Sequence, residues 1–187
     1  MFELILEKDV QIDITAKSNG GTKFYFGASW DTTNGDTDLD LCVAYLKVGK
    51  ATDLVYYGKK SGPGVQLSDD NRTGAGDGDD EWAKVDVSAL PADCDGLVIG
   101  IIVYAGPDFS TVANPLIRGC AGSDEKAPEI FRFPIQAKAF TGDTVLLAAR
   151  LKKGSNHQWF LETVGKFYAK GKGPGALKAL MALDFRA

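Results

Sequence analysis

The sequence predicts an all-β protein: a two-sheet β-sandwich with long acidic loops at one end and a short C-terminal helix. Apolar residues recur at every second position in residues 10–15 and 39–45, which is the period of a strand with one buried face. A nearly continuous apolar run at Leu97–Ala105, rich in Val and Ile, is typical of a fully buried strand. Clusters of Gly, Asp, Asn and Pro separate these runs and favour tight connections between strands.

The same criteria predict further strands in the rest of the chain. They cover residues 23–26, 83–87, 129–135, 145–151 and 158–164. Ser88–Leu90, before Pro91, predicts a single helical turn. Helix formers follow a Gly-Pro-Gly break and predict a short helix over residues 175–183. We therefore expect one domain over residues 1–187, in which residues 165–187 form a basic tail that carries this helix.

Composition excludes several protein classes. The chain has 187 residues, of which 44% are hydrophobic and 25% charged, as in ordinary globular domains. No apolar run approaches the roughly 20 residues needed to span a bilayer. The N-terminal residues have acidic charges and no basic start, unlike a secretory signal, so a cytoplasmic location is expected.

Cysteine and histidine are too few for the common soft-metal or nucleophilic sites. Cys42, Cys94 and Cys120 are widely spaced and form no CxxC motif, so we expect buried thiols without a disulfide framework or a zinc site. The single histidine, His157, is expected in a strand.

Charge is distributed unevenly along the chain. The formal net charge is −4, yet ten carboxylates fall within residues 31–40 and 69–81, and without them the chain would carry +6. From Arg150 onward, eight Lys and Arg residues face two acidic ones. The sequence thus has acidic segments early and a basic tail late.

The densest acidic segment, residues 68–81, has the composition of a calcium loop. Its fourteen residues include six acids, one Asn, one Thr and three Gly. Calcium takes about 6–8 oxygen ligands, and glycine lets a backbone curl so that several oxygens face one point. The segment lacks the spacing and flanking helices of an EF-hand and leads into a predicted strand, so a site formed by inter-strand loops is expected.

A second acidic segment strengthens this interpretation. Asp38 and Asp40 lie two residues apart, so on a strand both carboxylates point to one face and Leu39 to the other. Together the two segments supply enough carboxylates for two ions. Two alternatives remain: a solvated acidic turn, and internal neutralisation by Arg72 or the lysines of the tail.

Two motifs resemble those of the TerD family of tellurium-resistance and stress proteins. One is Asp70-Asn71-Arg72-Thr73-Gly74-Ala75-Gly76-Asp77-Gly78-Asp79-Asp80-Glu81, followed by Val85–Pro91. The other comprises Trp30-Asp31 and Asp38-Leu39-Asp40-Leu41, and residues 164–168 resemble the closing strand of the family. The similarity extends over nearly the whole chain.

The resemblance implies a β-sandwich that binds two calcium ions and acts in tellurite resistance or in responses to phage, colicin or chemical stress. Carried over residue by residue, it implies a set of metal ligands in the two acidic motifs. They are Asp31, Asp38, Asp40, Asp70, Asn71, Asp77, Asp79, Asp80 and Glu81.

The predicted function is therefore a non-enzymatic calcium-binding protein of a tellurium-resistance or general stress-response system, with other proteins of that system as partners. One alternative is a metal-dependent phosphoester hydrolase that uses the same carboxylates. Another is a calcium-switched adaptor whose tail lysines (Lys166, Lys170, Lys172 and Lys178) contact anions or a membrane surface. A solvated basic edge is the favoured interpretation of the tail, and no nucleic-acid partner is expected.

Overall fold

The computed structural model describes residues 7–32, 37–74, 76–135 and 141–185. Within these ranges the chain is mainly extended, with two α-helices, α1 (Ile14–Lys17) and α2 (Pro174–Met181). The strands are β1 (Gln11–Asp13), β2 (Lys23–Thr32), β3 (Asp38–Lys47), β4 (Lys50–Val55), β5 (Ser61–Gly62), β6 (Val65–Leu67), β7 (Glu81–Asp86), β8 (Gly96–Ala105), β9 (Val112–Cys120), β10 (Glu129–Pro134), β11 (Val145–Lys153) and β12 (Trp159–Tyr168).

The strands form two antiparallel sheets. Sheet I has the order β1-β12-β11-β8-β3-β4, and sheet II has the order β10-β9-β2-β7-β6-β5. The predicted two-sheet sandwich is confirmed. β3 and β7 come from different sheets and both begin at an acidic residue, Asp38 and Glu81 respectively.

The main core lies between the sheets and follows the alternation read from the sequence. On β2, Phe24, Phe26 and Ala28 are fully buried in this core. On β3, Leu39 and Leu41 belong to the same core. The inward face of each strand is therefore the one that its apolar residues mark at every second position.

A second apolar cluster covers the outer face of sheet I. Ala176, Leu177 and Leu180 of α2 belong to one cluster with Cys42 and Ile102. Gly100 makes the contact close, because a Cβ there would lie 2.6 Å from Leu180. The covered face explains why β8 is apolar along almost its whole length. The predicted C-terminal helix is confirmed, and no helix in the described ranges is long and apolar enough to cross a membrane.

Some local predictions were wrong. The N-terminal strand ends at Asp13, not at Thr15, because the Asp13 carboxylate accepts a hydrogen bond from Ala16 N at 2.8 Å and caps α1. His157 ends a 3-10 turn at a φ of 61° and is exposed, so it is not a strand residue. The three cysteines are free and buried, as predicted.

Candidate metal centre

Three carboxylates from separate parts of the chain meet where the acidic loops are found. Asp40 lies on β3, Glu81 begins β7, and Asp70 lies in the segment that joins β6 to β7. One carboxylate oxygen from each lies within 4.8 Å of the others; we call this group the carboxylate cluster. Two oxygens that bind one calcium ion at roughly 2.3–2.6 Å are at most about 5 Å apart, so the spacing suits a single cation.

Glu81 is the most constrained member of the cluster. It is 4% exposed, and its Oε2 accepts a hydrogen bond from Leu41 N at 2.6 Å. Its Oε1 accepts one from Asn71 N at 3.1 Å. The Leu41 amide lies beyond the point where β4 ends, since the last β4 partner of β3 is Val55, opposite Val43. Glu81 begins β7 of sheet II, and its side chain thus forms a hydrogen bond to β3 of sheet I beyond the end of β4.

Asp38 and Asp40 each bury an oxygen atom without a donor. Asp40 is 3% exposed, and its Oδ2, like Oδ1 of Asp38, makes no hydrogen bond within the described part of the chain. Buried polar atoms in native proteins are nearly always hydrogen-bonded or bound to a metal, because desolvation is otherwise uncompensated. These two oxygens therefore have the arrangement of ligands that face a cation.

The electrostatics of the cluster point the same way. Burial raises the pKa of Glu81 to about 8, with the charges of Asp40 and Asp70 adding to the effect. Burial, then Asp38 and Asp70, raises the pKa of Asp40 to about 7. For Asp38, burial and Asp70 raise the pKa to about 6. A bound cation would reverse the mutual repulsion that contributes to these shifts.

Asp70 is the only cluster member with a cation beside it among the described residues, Arg72, whose Nε lies 3.3 Å from Oδ2. The Arg72 side chain is 78% exposed, so water screens the pair. Arg72 also lowers the pKa of Asp38 and of Asp40, but burial and the neighbouring acids outweigh it, so internal neutralisation by Arg72 is partial.

Asn71 and Asp80 shape the loop around the cluster. Asn71 Oδ1 accepts hydrogen bonds from the backbone of Thr73 at 3.1 Å and Gly74 at 3.2 Å, and Nδ2 donates to Asp80 at 3.0 Å. The other oxygen of Asp80 accepts from Trp30 N at 2.8 Å. Burial raises the pKa of Asp80, and Asp31 contributes to that shift. Both side chains, predicted as ligands, already hold the loop together.

Asp79 lies on the opposite face of sheet II from the cluster. Arg118 Nε donates to its Oδ1 at 2.9 Å and Arg118 Nη2 to its Oδ2 at 2.6 Å. The Tyr25 hydroxyl donates to Oδ2 at 2.8 Å and consequently has a raised pKa, mainly through burial and this hydrogen bond. The structure thus gives this predicted ligand an arginine partner instead of bringing it into the carboxylate cluster.

The remaining predicted ligands lie outside the cluster. Asp77 is exposed, and Asp31, also exposed, accepts a hydrogen bond from Asn114 Nδ2 at 3.0 Å. Asp36, one of the ten carboxylates of the acidic segments, falls outside the described residues.

Sequence reasoning did not find Arg118 or Tyr25. Arg118 lies in β9, a strand that was not predicted, and pairs across the sheet with Gly27. The sequence holds no signal for the pair, because Arg118 is half-buried and its partner Asp79 becomes a neighbour only through the register of the sheet. The exposed lysines of the tail include Lys172, whose Nζ donates to the carbonyl of Gly106.

Comparison with known proteins places this arrangement in a family. A model of the TerD domain matches residues 2–180. General stress protein 16U of Bacillus subtilis (strain 168) is 32% identical over 180 residues, which cover 89% of this chain and 91% of that protein. Tellurium resistance protein TerD of Alcaligenes sp is 31% identical over 179 residues, again covering 89% and 91%.

A solved structure shares the fold. A homologue of telluride resistance protein from Streptomyces coelicolor A3(2) superimposes with a TM-score of 0.64 at 17% identity, covering 80% of this chain and 91% of the other. The family model, the identities and the common sandwich agree, and the chain belongs to the TerD domain family of tellurium-resistance and general stress proteins.

Proposed function

We propose that this chain is a non-enzymatic calcium-binding protein of a tellurium-resistance or general stress-response system. The ion binds at the carboxylate cluster of Asp40, Asp70 and Glu81, with Asp38 beside it. The observation that carries the proposal is the pair of buried oxygens on Asp38 and Asp40 that have no donor among the described residues, at a site where oxygens of Asp40, Asp70 and Glu81 lie within 4.8 Å of one another.

The chemistry of the donors favours calcium over other metals. All members of the cluster offer carboxylate oxygen, which suits hard cations, whereas zinc in proteins usually takes thiolate or imidazole ligands. Calcium accepts 6–8 oxygens in irregular geometry, while magnesium requires a near-ideal octahedron. Loop carbonyls and water would complete a calcium shell around ligands that come from three different elements.

A second ion, implied by the resemblance, is part of the proposal. Its candidate ligands are Asp31 and Asp77, exposed at the same loops, with Asp31 close enough to raise the pKa of Asp80. Calcium titration by calorimetry measures the stoichiometry, and two equivalents are expected.

We propose that the centre binds and does not catalyse. Backbone hydrogen bonds fix the Glu81 carboxylate and leave each oxygen a lone pair for the ion. The single histidine of the chain, His157, is exposed and is not part of the cluster, so the group favours a hard cation over proton transfer. Assays on phosphoester panels with calcium, magnesium and manganese test this, and no turnover is expected. The role in stress or tellurium resistance is proposed from the names of the relatives.

A melting experiment tests calcium binding directly. Calcium at a hundredfold excess over Kd should stabilise the protein by about 2.7 kcal/mol, which is about 5–10 °C in melting temperature for a chain of this length, relative to chelator. Asp40→Asn and Glu81→Gln should abolish most of this shift. Asp93→Asn is the matched control, because Asp93 pairs with Lys47 at the far end of β3.

The control should retain the full shift. An identical melting temperature with millimolar calcium and with chelator in the unmodified protein would overturn the proposal.

A further inference from the structure

We infer that Arg118 is a positioning residue of the metal centre: it anchors Asp79 on the outer face of sheet II and thereby sets the place of Glu81. The inference rests on the proposed function, since the quantity that it explains is calcium affinity. Arg118 itself does not contact the carboxylate cluster; it acts through the three consecutive residues 79–81.

The anchor is a buried, two-point ion pair. The Asp79 side chain is 4% exposed and the Arg118 side chain 17%. Arg118 donates from Nε at 2.9 and 3.1 Å and from Nη2 at 2.6 Å, so its planar group fixes both the position and the orientation of the carboxylate. The Tyr25 hydroxyl adds a third donor at 2.8 Å.

The arginine is held in turn by its neighbours on sheet II. Its guanidinium lies over the Tyr25 ring, 5.7 Å from the ring centre, and Nη1 lies 3.4 Å from Oε2 of Glu129. Such contacts restrict the side chain before any ion binds. The anchor is therefore a rigid part of the sheet surface and not a flexible surface pair.

Space for the Asp79 carboxylate exists because residue 27 is glycine. A Cβ at Gly27 would lie 2.2 Å from Asp79 Cγ and 2.2 Å from Oδ2. Gly27 pairs with Trp82 on one side and with Arg118 on the other, so the vacant position lies directly between the acid loop and its arginine. Asp79 thus fills a gap in the outer face of β2.

The anchor reaches the metal centre through a very short stretch of chain. Asp80 N donates to the carbonyl of Ala28 at 2.9 Å, and Glu81 pairs with the same residue as β7 begins. Asp79 therefore contacts the outer side of sheet II, while Glu81 shares the inner side with Ala83, which lies in the core. Asp79 is thus held on the outer face of β2 and the Glu81 backbone is paired with β2 only two residues later, so a shift of Asp79 is passed to Glu81.

The residues before the anchor do little to fix it. Gly76 and Gly78 have positive φ values of 137° and 98°, and a Cβ at either would meet nothing within 4 Å. Glycines in an open loop leave the backbone many alternatives. The ion pair therefore fixes the chain at residue 79, directly before Asp80 and its contacts with Trp30 and Asn71.

Calcium titration by calorimetry separates this role from its alternatives. Loss of outer-shell support typically weakens metal binding about 10–100-fold, so Arg118→Met should raise the calcium Kd at least about tenfold. Simple electrostatics predicts the opposite sign, because the variant removes a positive charge near a cation site. If Asp79, once released from Arg118, bound the ion directly, calcium binding would also become tighter.

Gly27→Ala provides a second variant that leaves every charge in place. Its new methyl group should displace Asp79 and weaken calcium binding by a similar factor. Arg132→Met is the matched control: it removes a neighbouring positive charge whose hydrogen bonds run to Glu129 at 3.0 and 3.1 Å, and its Kd should stay within about twofold of the original. Arg118→Lys keeps the charge without the fork and should recover only part of the affinity.

A Kd that stays the same or tightens in Arg118→Met and Gly27→Ala would overturn the inference, even if both variants melt earlier in chelator. Should Arg118→Met fail to fold, Gly27→Ala and the neutral double variant Asp79→Asn/Arg118→Met decide the question by the same Kd criterion. Absence of calcium binding in the unmodified protein would instead refute the proposed function.

Discussion

Asp79 and Asp40 both have side chains largely withdrawn from water but are treated in opposite ways. The Asp79 side chain is 4% exposed and meets a guanidinium and a phenol. Asp40 is 3% exposed, lies among other carboxylates, and has an oxygen with no donor within the described residues. An ionised group can leave water only if a charge or several hydrogen bonds replace it. For Asp79 the protein supplies that charge, whereas for Asp40 the proposed calcium ion would supply it.

The difference explains how one acidic loop serves two purposes. Its carboxylates look alike in sequence, yet Asp79 fastens the loop to sheet II, while Asp70 and Glu81 belong to the cluster proposed to bind calcium. If no acid of the site had a partner, the protein would fold poorly without metal. If every acid were paired within the protein, none would remain to bind an ion. Two variants test this difference: one removes Arg118 beside Asp79, and the other neutralises Asp40.

Removing Arg118, the partner of Asp79, should have the largest effect on stability. Arg118→Met leaves the Asp79 charge buried without its partner, so the free energy of unfolding in chelator should fall by about 3–5 kcal/mol. Urea denaturation measures this. Arg132→Met, from a more exposed pair in which the arginine side chain is 36% exposed, should cost much less. Equal losses of stability in the two variants would show that burial of the pair does not determine its contribution.

Because Asp40 and Glu81 have no cationic partner among the described residues, they should give the free energy of unfolding a pH dependence opposite in sign to that of most acids. The pKa values of Asp40 and Glu81 are raised from 3.8 to about 7 and from 4.5 to about 8, so the native state keeps protons that the unfolded chain releases. Without calcium, the free energy of unfolding should therefore fall as pH rises from about 4.5 to 8, and level off above that. Acids held in ion pairs contribute the reverse trend.

Asp40→Asn sharpens this test. Neutralising Asp40 removes one repelling charge, so the variant should be more stable than the original protein at pH 8 in chelator, by about 1–3 kcal/mol, and lose most of the difference at pH 5. Chemical denaturation at both pH values provides the measurement. Saturating calcium should flatten the pH dependence of the original protein, because the ion holds the carboxylates ionised. A stability that rises steadily from pH 5 to 8 in chelator would be inconsistent with these pKa shifts.

Much of the fold was accessible from the sequence because burial leaves a periodic trace. β3 alternates on its inner face, and β8 is apolar throughout because α2 covers its outer face. The sequences of β4 and β9 show no such periodicity. Residues 50–55 include three exposed polar positions, and residues 112–120 contain Asn114 and Pro115 at an irregular pairing with β2. Strands held by their neighbours need little pattern of their own.

The site was only partly accessible, for a different reason. Density of carboxylates pointed to the two acidic segments, and the family resemblance named Asp40, Asp70 and Glu81 among nine candidate ligands. The same density also suggested Asp79 as a ligand, because its arginine lies 39 positions away in a strand that was not predicted. Which acid faces an ion and which faces a protein cation depends on sheet register, and register is a property of the folded pairings.

A third aspartate completes the comparison with the smallest expected effect. The Asp69 side chain is 100% exposed and lies 2.8 Å from Lys60 Nζ, so this ion pair is nearly as short as the 2.6 Å pair of Asp79 with Arg118. Water already solvates both charges, so Lys60→Met should leave the melting temperature in chelator unchanged within error. Because Lys60 lies near the acidic loop, its removal should tighten calcium binding slightly at low salt and not at physiological salt. A loss of stability approaching that of Arg118→Met would show that pair geometry, and not burial, decides what an aspartate contributes here.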